Sequence, residues 1–510
     1  MQIVALWTAG EIAAATGGRW IVAPPPGWSP LRVSYDVSAR IAGHFCTLPH
    51  PLSWGKDRHD PSDALPALAA KGAVGVMVEP AHLASTAPQT GPQTGLPENL
   101  PENLPVLLVP STWAGLQALA NAARDRFAGQ VFAVTGTVGK TTTREMIRHL
   151  TAAQGGAVAS AMNNNNIPGV HRTLASTRRD LAACVLEMGF GKPLDGVARS
   201  SRVARPHVAV LTSIDVAHFD MFSAAMLAEK PGRVWLTDAK CGIFAGLAPG
   251  GVAVINADLP ETAQACAQAA VHAARVLTFG AHPQADARLT LWHPAPATSA
   301  VEATILGTTV GFTLALPGRH MAINALAALL AVAVAGFDLT QALRDIEGFQ
   351  PVQGRARVLR FALPDGGSAT LIDDAFNATL ASVRSAIGLL DLATPGPSGR
   401  RIAVLGEIGH IGADEVAQHA ALAEALTESA TDLCLTWGPL MRFLHDALPA
   451  RQRGAHQDHS VEALYAALRA QLRDGDVVVV KSGRGTNGLG DRRFRKFVQS
   501  LLDGASSLTL

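Results

Sequence analysis

Between Val131 and Thr143 the chain reads Val-Phe-Ala-Val-Thr-Gly-Thr-Val-Gly-Lys-Thr-Thr-Thr, and no other stretch restricts its fold as much. The apolar residues read as a buried strand, Gly136 to Thr141 as a glycine turn, and Thr142 to Leu150 as a helix. Strand, turn and helix in that order make a phosphate cradle. Glycines let backbone N–H groups face phosphate oxygens, and the helix adds its positive N-terminal end. In such a cradle Lys140 reaches the β- and γ-phosphates and the Thr141 hydroxyl ligates Mg²⁺. Thr135, Gly136, Thr137, Gly139 and Thr142 complete the candidate nucleotide contacts. The strict Walker spacing fails, because its first glycine falls on Val134. ATP binding therefore rests on the strand–turn–helix context, against a plain glycine-rich turn.

A cradle of this kind sits on a parallel sheet, so strands and helices must alternate around it. The chain has 510 residues, 48% hydrophobic and 16% charged, enough for about three cores. An α/β fold of three domains is expected: residues 1–125 a small N-terminal acceptor domain, 126–354 a central P-loop ATPase domain with a parallel sheet, and 355–510 a Rossmann-like C-terminal domain. Thr8 and Gly17-Gly18 bracket a short first helix. Val208–Ser213 and Val252–Asn256 read as central strands, and residues 287–317 as an antiparallel excursion. Ala369–Asp373, Ile402–Leu405, Leu433–Trp437 and Val477–Lys481 read as strands of the last domain. Residues 88–103 hold two tandem four-residue duplications rich in Pro and polar residues, which read as a surface loop.

A net charge of +1 argues against a nucleic-acid or anionic-membrane surface. The five cysteines form no C-x-x-C pair, so neither a disulfide framework nor a zinc site is suggested. The chain starts without the basic and apolar regions of a signal peptide, and the apolar run from Met321 to Ala335 is short for a membrane span. It reads as a core helix. A monomeric, cytoplasmic enzyme with no membrane span is expected.

Glu187 closes the apolar run Val185-Leu-Glu187, where a strand end would face the ligand crevice and offer Mg²⁺ a hard oxygen. After the following strand, His218 stands in position to ligate a metal or meet phosphate, against a purely structural histidine. Lys230, in Ala228-Glu-Lys-Pro-Gly232, could carry its amine neutral and take up CO₂ as a carbamate, an anion able to bind Mg²⁺; an ordinary surface lysine is the alternative.

Taken together these residues resemble the Mur ligase family. The shared segments are Thr135-Gly-Thr-Val-Gly-Lys-Thr-Thr142, Asn163 to Asn166, Glu187-Met-Gly189, Ala217-His218 and Lys230, and beyond them Gly318 to Asn324, Pro351 to Arg355, Ile372-Asp-Asp374-Ala-Phe-Asn377, Val404 to Gly412 with His419, and Lys481-Ser-Gly-Arg484. The resemblance implies the family's three-domain architecture and an ATP-dependent amide ligase working through an acyl phosphate. The partners implied are a small carboxylate acceptor and an amino acid or dipeptide amine donor. The I-D-D-x-x-N-A and V-L-G segments point to the branch joining D-alanyl-D-alanine to a UDP-muramoyl tripeptide. The resemblance implies that Asn324 and Arg355 flank adenine and phosphates, that Asp374 holds the ribose side, and that Lys140, Thr141, Glu187, His218 and Lys230 serve phosphates and two Mg²⁺ ions. Lys140, His218 and Lys230 are the catalytic candidates. Lys240 is a rival carbamate position, although the Glu-Lys-x-Gly pattern favours Lys230.

The departures cluster on the acceptor side. Ser34 to Arg40 breaks an Asp-Ser/Thr-Arg triplet, and residues 55–60 blur a D-G-H-D segment. An amide ligase of a specialised pathway with a non-UDP acceptor is the second reading. A non-catalytic P-loop switch is the third, and it need not keep Glu187, His218, Asn324, Arg355 and Asp374 together.

Overall fold

The computed structural model describes residues 4–35, 41–48, 61–83, 103–161, 164–215, 219–364, 366–409, 411–412, 414–483 and 490–504. Three sheets follow one another along the chain. The first holds β1 (Arg19–Val22), β2 (Arg32–Ser34), β3 (His44–Thr47), β4 (Gly75–Val78) and β5 (Val106–Leu108), in spatial order β1-β5-β4-β3-β2. Only β1 runs antiparallel to its neighbour. The helix Ala9–Thr16 that precedes it starts on a Thr8–Glu11 capping box and stops at left-handed Gly17, as the sequence indicates.

The central sheet contains β6 (Gln130–Thr135), β7 (Ala157–Ala159), β8 (Ala183–Glu187), β9 (Val208–Leu211), β10 (Val252–Asn256), β11 (Arg275–Gly280), β12 (Ala287–Pro294), β13 (Ser299–Ile305) and β14 (Thr308–Leu314). Their order is β14-β13-β12-β11-β10-β9-β6-β8-β7. From β6 the chain fills one side with β7 and β8, then returns to the other side for β9 and β10. The reversal opens a crevice at the carboxyl end of β6, where ligands bind in open α/β sheets. β12 to β14 pair antiparallel, as the alternating pattern indicates. The helix Arg319–Val334 is buried without a break from Met321 to Val332. It packs between the sheet and the helix Lys140–Ala152, so an all-apolar Ala-rich surface suits it better than one amphipathic stripe. No described helix is long and apolar enough to cross a membrane.

The last sheet orders β15 (Arg357–Ala362), β16 (Ser368–Asp374), β20 (Val477–Lys481), β17 (Arg401–Gly406), β18 (Leu433–Trp437) and β19 (Arg453–Gln457) as β15-β16-β20-β17-β18-β19. Its four inner strands are those legible in the sequence. β15 and β19 are edges carrying arginine, histidine and glutamine, so they lack the apolar run of a two-sided strand. All five cysteines are free thiols. The expected surface loop at 88–103 falls, except for Asn103, outside the described residues, as do positions 36–40 and 55–60 of the acceptor-side segments.

Candidate active site

Parallel strands deliver their carboxyl ends to one cleft of about 1030 Å³. The glycine turn follows β6, Glu187 ends β8, Thr212 and Ser213 follow β9, and Asn256 ends β10. Across the cleft Arg355, Asp374 and Lys481 come from the last sheet and the segment leading into it, and Asn324 comes from the buried helix.

The turn needs its glycines. Gly136 and Gly139 have φ of 147° and 84°, and a Cβ at Gly139 would stand 2.6 Å from Asn324 Oδ1. Ser213 fixes the turn from below: Thr137 N donates to its carbonyl at 2.9 Å and Val138 N to its hydroxyl at 2.8 Å. Gly139 starts the helix Lys140–Ala152 with no side-chain cap, leaving its first N–H groups for a ligand. Lys140 Nζ folds back and donates to the carbonyls of Gly136 (2.8 Å) and Thr137 (2.9 Å). Burial brings its ammonium down to about 8, with Glu187 pulling the other way and Arg355 adding repulsion.

Glu187 is the hub. Its Oε2 accepts from the Thr141 hydroxyl at 2.9 Å and from Arg144 Nη1 at 3.1 Å, and its Oε1 accepts from Asn165 Nδ2 at 2.8 Å. A hidden carboxylate needs such partners, since an unpaired one would cost several kcal/mol. Arg355 Nη2 donates to Thr141 Oγ1 at 3.3 Å, tying the far wall to the loop. Asp374 receives Lys481 Nζ at 2.5 Å and the N–H of Ala356 at 3.2 Å. His320 lies on the same wall, where burial lowers it to about 4.

Of the residues expected from sequence, Gly136, Thr137, Gly139, Lys140, Thr141, Thr142, Glu187, Asn324, Arg355 and Asp374 all line this cleft. Two do not. Thr135 is fully buried and gives its hydroxyl to Met188 O at 2.7 Å, so it fastens β6 to the turn after β8. Lys230 is drawn away by Asp238 at 2.5 Å and lies over the Trp235 ring, its side chain 30% exposed. Lys240 takes the cleft position in its place: it is 2% exposed, and burial and then Lys140 lower its ammonium strongly. Its setting among Ala239, Cys241, Ile243 and Phe244 is the sequence signal for a buried lysine. His218 lies outside the described residues. Arg144 and Lys481 join the site through partners 43 and 107 residues away, which no local pattern marks.

Among the described residues no three acidic, histidine or cysteine side chains gather as a metal cluster. Glu187 and Thr141 nonetheless present adjacent hard oxygens beside the cradle, which suits an ion that takes one or two carboxylates and completes its shell with phosphate and water.

Fold and cleft define a P-loop protein in which groups from two sheets face one another across the glycine turn. Residues 134–332 match the Mur ligase middle domain and residues 354–484 the Mur ligase, glutamate ligase domain. A UDP-N-acetylmuramoyl-tripeptide--D-alanyl-D-alanine ligase of Bacillus subtilis is 28% identical over 384 residues, 74% of this chain and 79% of its own. The crystal structure of MurF from Acinetobacter baumannii superposes with a TM-score of 0.76 at 22% identity, over 98% of this chain and 99% of that one. A MurF ligase from Thermotoga maritima in complex with ADP gives 0.69 at 20%, over 93% and 97%. The chain belongs to the Mur ligase family, and is an ATP-dependent peptide ligase with its three-domain architecture.

Proposed function

We propose that the chain joins the amine of D-alanyl-D-alanine to the terminal carboxylate of a UDP-muramoyl tripeptide, converting ATP to ADP and phosphate. The observation that carries this reading is the convergence of Lys140, Thr141 and Glu187 with Arg355, Asp374 and Lys481 in one cleft, from two sheets. The branch is supported by the relative from Bacillus subtilis, whose name states that reaction.

The acceptor carboxylate attacks the γ-phosphorus, and the bond to the β–γ bridging oxygen breaks to release ADP. The acyl phosphate then meets the amine, and phosphate leaves as the amide forms. Two anions must approach in the first step. Lys140, swinging from the loop carbonyls to the phosphates, and Arg355 from the opposite wall offset that repulsion. Thr141 and Glu187 would hold Mg²⁺, with Lys240 as a carbamate a further oxygen ligand; the ion supplies charge neutralisation on the phosphoryl oxygens. Asp374, held by Lys481, would meet the nucleotide's sugar. Closure of the last sheet over the central one excludes water from the acyl phosphate.

Phosphate release with ATP, UDP-muramoyl tripeptide and D-alanyl-D-alanine tests the assignment. Turnover is expected only with all three, and turnover that ignores the dipeptide would exclude it. The second reading draws on the altered acceptor-side sequence at 34–40 and 55–60. Direct titration separates the two: failure to bind the UDP-muramoyl tripeptide while ATP binds normally would favour a different acceptor.

ATP affinity is also expected to fall as pH rises through about 8, where free Lys140 loses its proton. The triphosphate favours the charged amine, so binding above that pH draws a proton from solution. Calorimetry in buffers of different ionisation enthalpy reads the uptake directly, and pH-independent binding between about 7 and 10 would remove Lys140 from phosphate contact.

A further inference from the structure

Before a nucleotide arrives, Arg355 is badly placed electrostatically. The cleft wall strips water from its guanidinium, Arg144 acts against its charge, and Arg355 in turn acts against that of Lys140. Asp374 and then Glu187 favour its charge, each more than Arg144 opposes it, and desolvation remains the largest influence. The backbone supplies a further restraint, in an unusual form. Gly354 has φ of 74° and Ala356 has φ of 59°, so Arg355 is held between two left-handed residues. For alanine that conformation costs about 1 kcal/mol or more and persists only where surroundings impose it.

Neighbouring residues impose it here. Gly354 N–H donates to Asp373 Oδ2 at 2.8 Å, and Ala356 N–H to Asp374 Oδ1 at 3.2 Å. Ala375 N–H takes the other oxygen of Asp373 at 3.3 Å. Phe376 closes the arrangement: its N–H donates to Gly354 O at 3.3 Å and its ring lies 4.4 Å from the Arg355 guanidinium. Asp373 is 2% exposed and sits opposite Arg357 in the β15–β16 ladder, so it lies behind the turn. Asp374 is shared with Lys481 and the cleft; Asp373 does not line the cleft.

We propose that Asp373 is a positioning residue for nucleotide binding: by bridging the N–H groups of Gly354 and Ala375 it locks the left-handed turn that holds Arg355 toward the P-loop. Burial raises this carboxyl above its ordinary range, with its two backbone donors opposing the rise, as suits a group retained for those donors. The inference rests on the reading that Arg355 meets the phosphate chain.

A double-mutant cycle on the full chain tests it, with magnesium ATP as the probe and calorimetric affinity as the readout. Asp373→Asn keeps the side-chain shape but loses one acceptor oxygen. It is expected to weaken ATP binding about tenfold through a shift of the guanidinium, and by less than about twofold when Arg355 is already alanine. Equal losses in both backgrounds, or lowered thermal stability with unchanged affinity, would overturn it, since a purely structural carboxylate has no reason to couple to Arg355. If Arg355→Ala itself leaves ATP affinity unchanged, the phosphate reading of Arg355 is what fails. Should Asp373→Asn not fold, Gly354→Ala disturbs the same turn without touching a buried charge, because at φ of 74° the added Cβ would stand 2.9 Å from Phe376 Cβ. A threefold or greater loss is then expected, by order of magnitude, and unchanged affinity overturns the proposal.

Discussion

Replacing Lys140 with alanine is expected to lower kcat for ATP-dependent ligation by about 10³-fold while the fold remains intact. The two halves of that expectation have separate origins. The ammonium is the loop's own charge, and among the described residues its hydrogen bonds go to the carbonyls of Gly136 and Thr137. Those carbonyls border the cleft, so water can replace the lysine. Its depressed pKa also means that the folded chain holds the charge less comfortably than the unfolded chain does, at any pH below about 8. Removing it should therefore leave thermal stability unchanged or slightly higher. In the ternary complex the situation reverses, because the cation faces a triphosphate and a second anion together. Single-turnover ADP release alongside a melting curve measures both halves. Near-normal ADP release with the variant would remove Lys140 from the chemistry.

How much of this was legible in the sequence depends on how local each constraint is. The cradle from Val131 to Thr143 could be read because glycines, lysine and threonine are bound to one another by spacing alone. The structure keeps that spacing between β6 and the helix Lys140–Ala152. Glu187 could be read as a strand end, and the buried helix from its unbroken apolar run. Thr135 was expected to face nucleotide because it belongs to the motif, yet the alternation of a strand turns its hydroxyl toward Met188. The edge strands β15 and β19 carry too many polar residues to announce themselves. Arg144 looks like an ordinary helix arginine until Glu187, from a separate strand, comes within 3.1 Å. No window of sequence contains that pair. The same holds for the turn at Arg355, whose left-handed alanine carries no compositional mark.

Lys240→Ala is expected to lower kcat by at least about 10²-fold, whereas Lys230→Ala should leave it nearly unchanged. The sequence pattern favoured Lys230, but a carbamate requires an amine that is neutral at working pH. Lys230 is instead paired with Asp238 and rests on the Trp235 ring, away from the cleft. An exposed pair of that sort contributes no more than about 1 kcal/mol to stability, so its loss is mild. Lys240 meets the opposite conditions: burial and the repulsion of Lys140 both favour the neutral amine. Its nitrogen can then add to the carbon of CO₂ and release a proton, giving an anion. That exchange turns a repulsion between two lysines into an attraction and sets a hard oxygen beside the cradle, on the same cleft as Glu187. Carbon-13-labelled bicarbonate distinguishes the two positions without relying on activity. A carbamate resonance should appear in the unaltered chain, persist in Lys230→Ala and vanish in Lys240→Ala. The reverse pattern would return the role to Lys230, and would require its amine to leave Asp238 and the Trp235 ring.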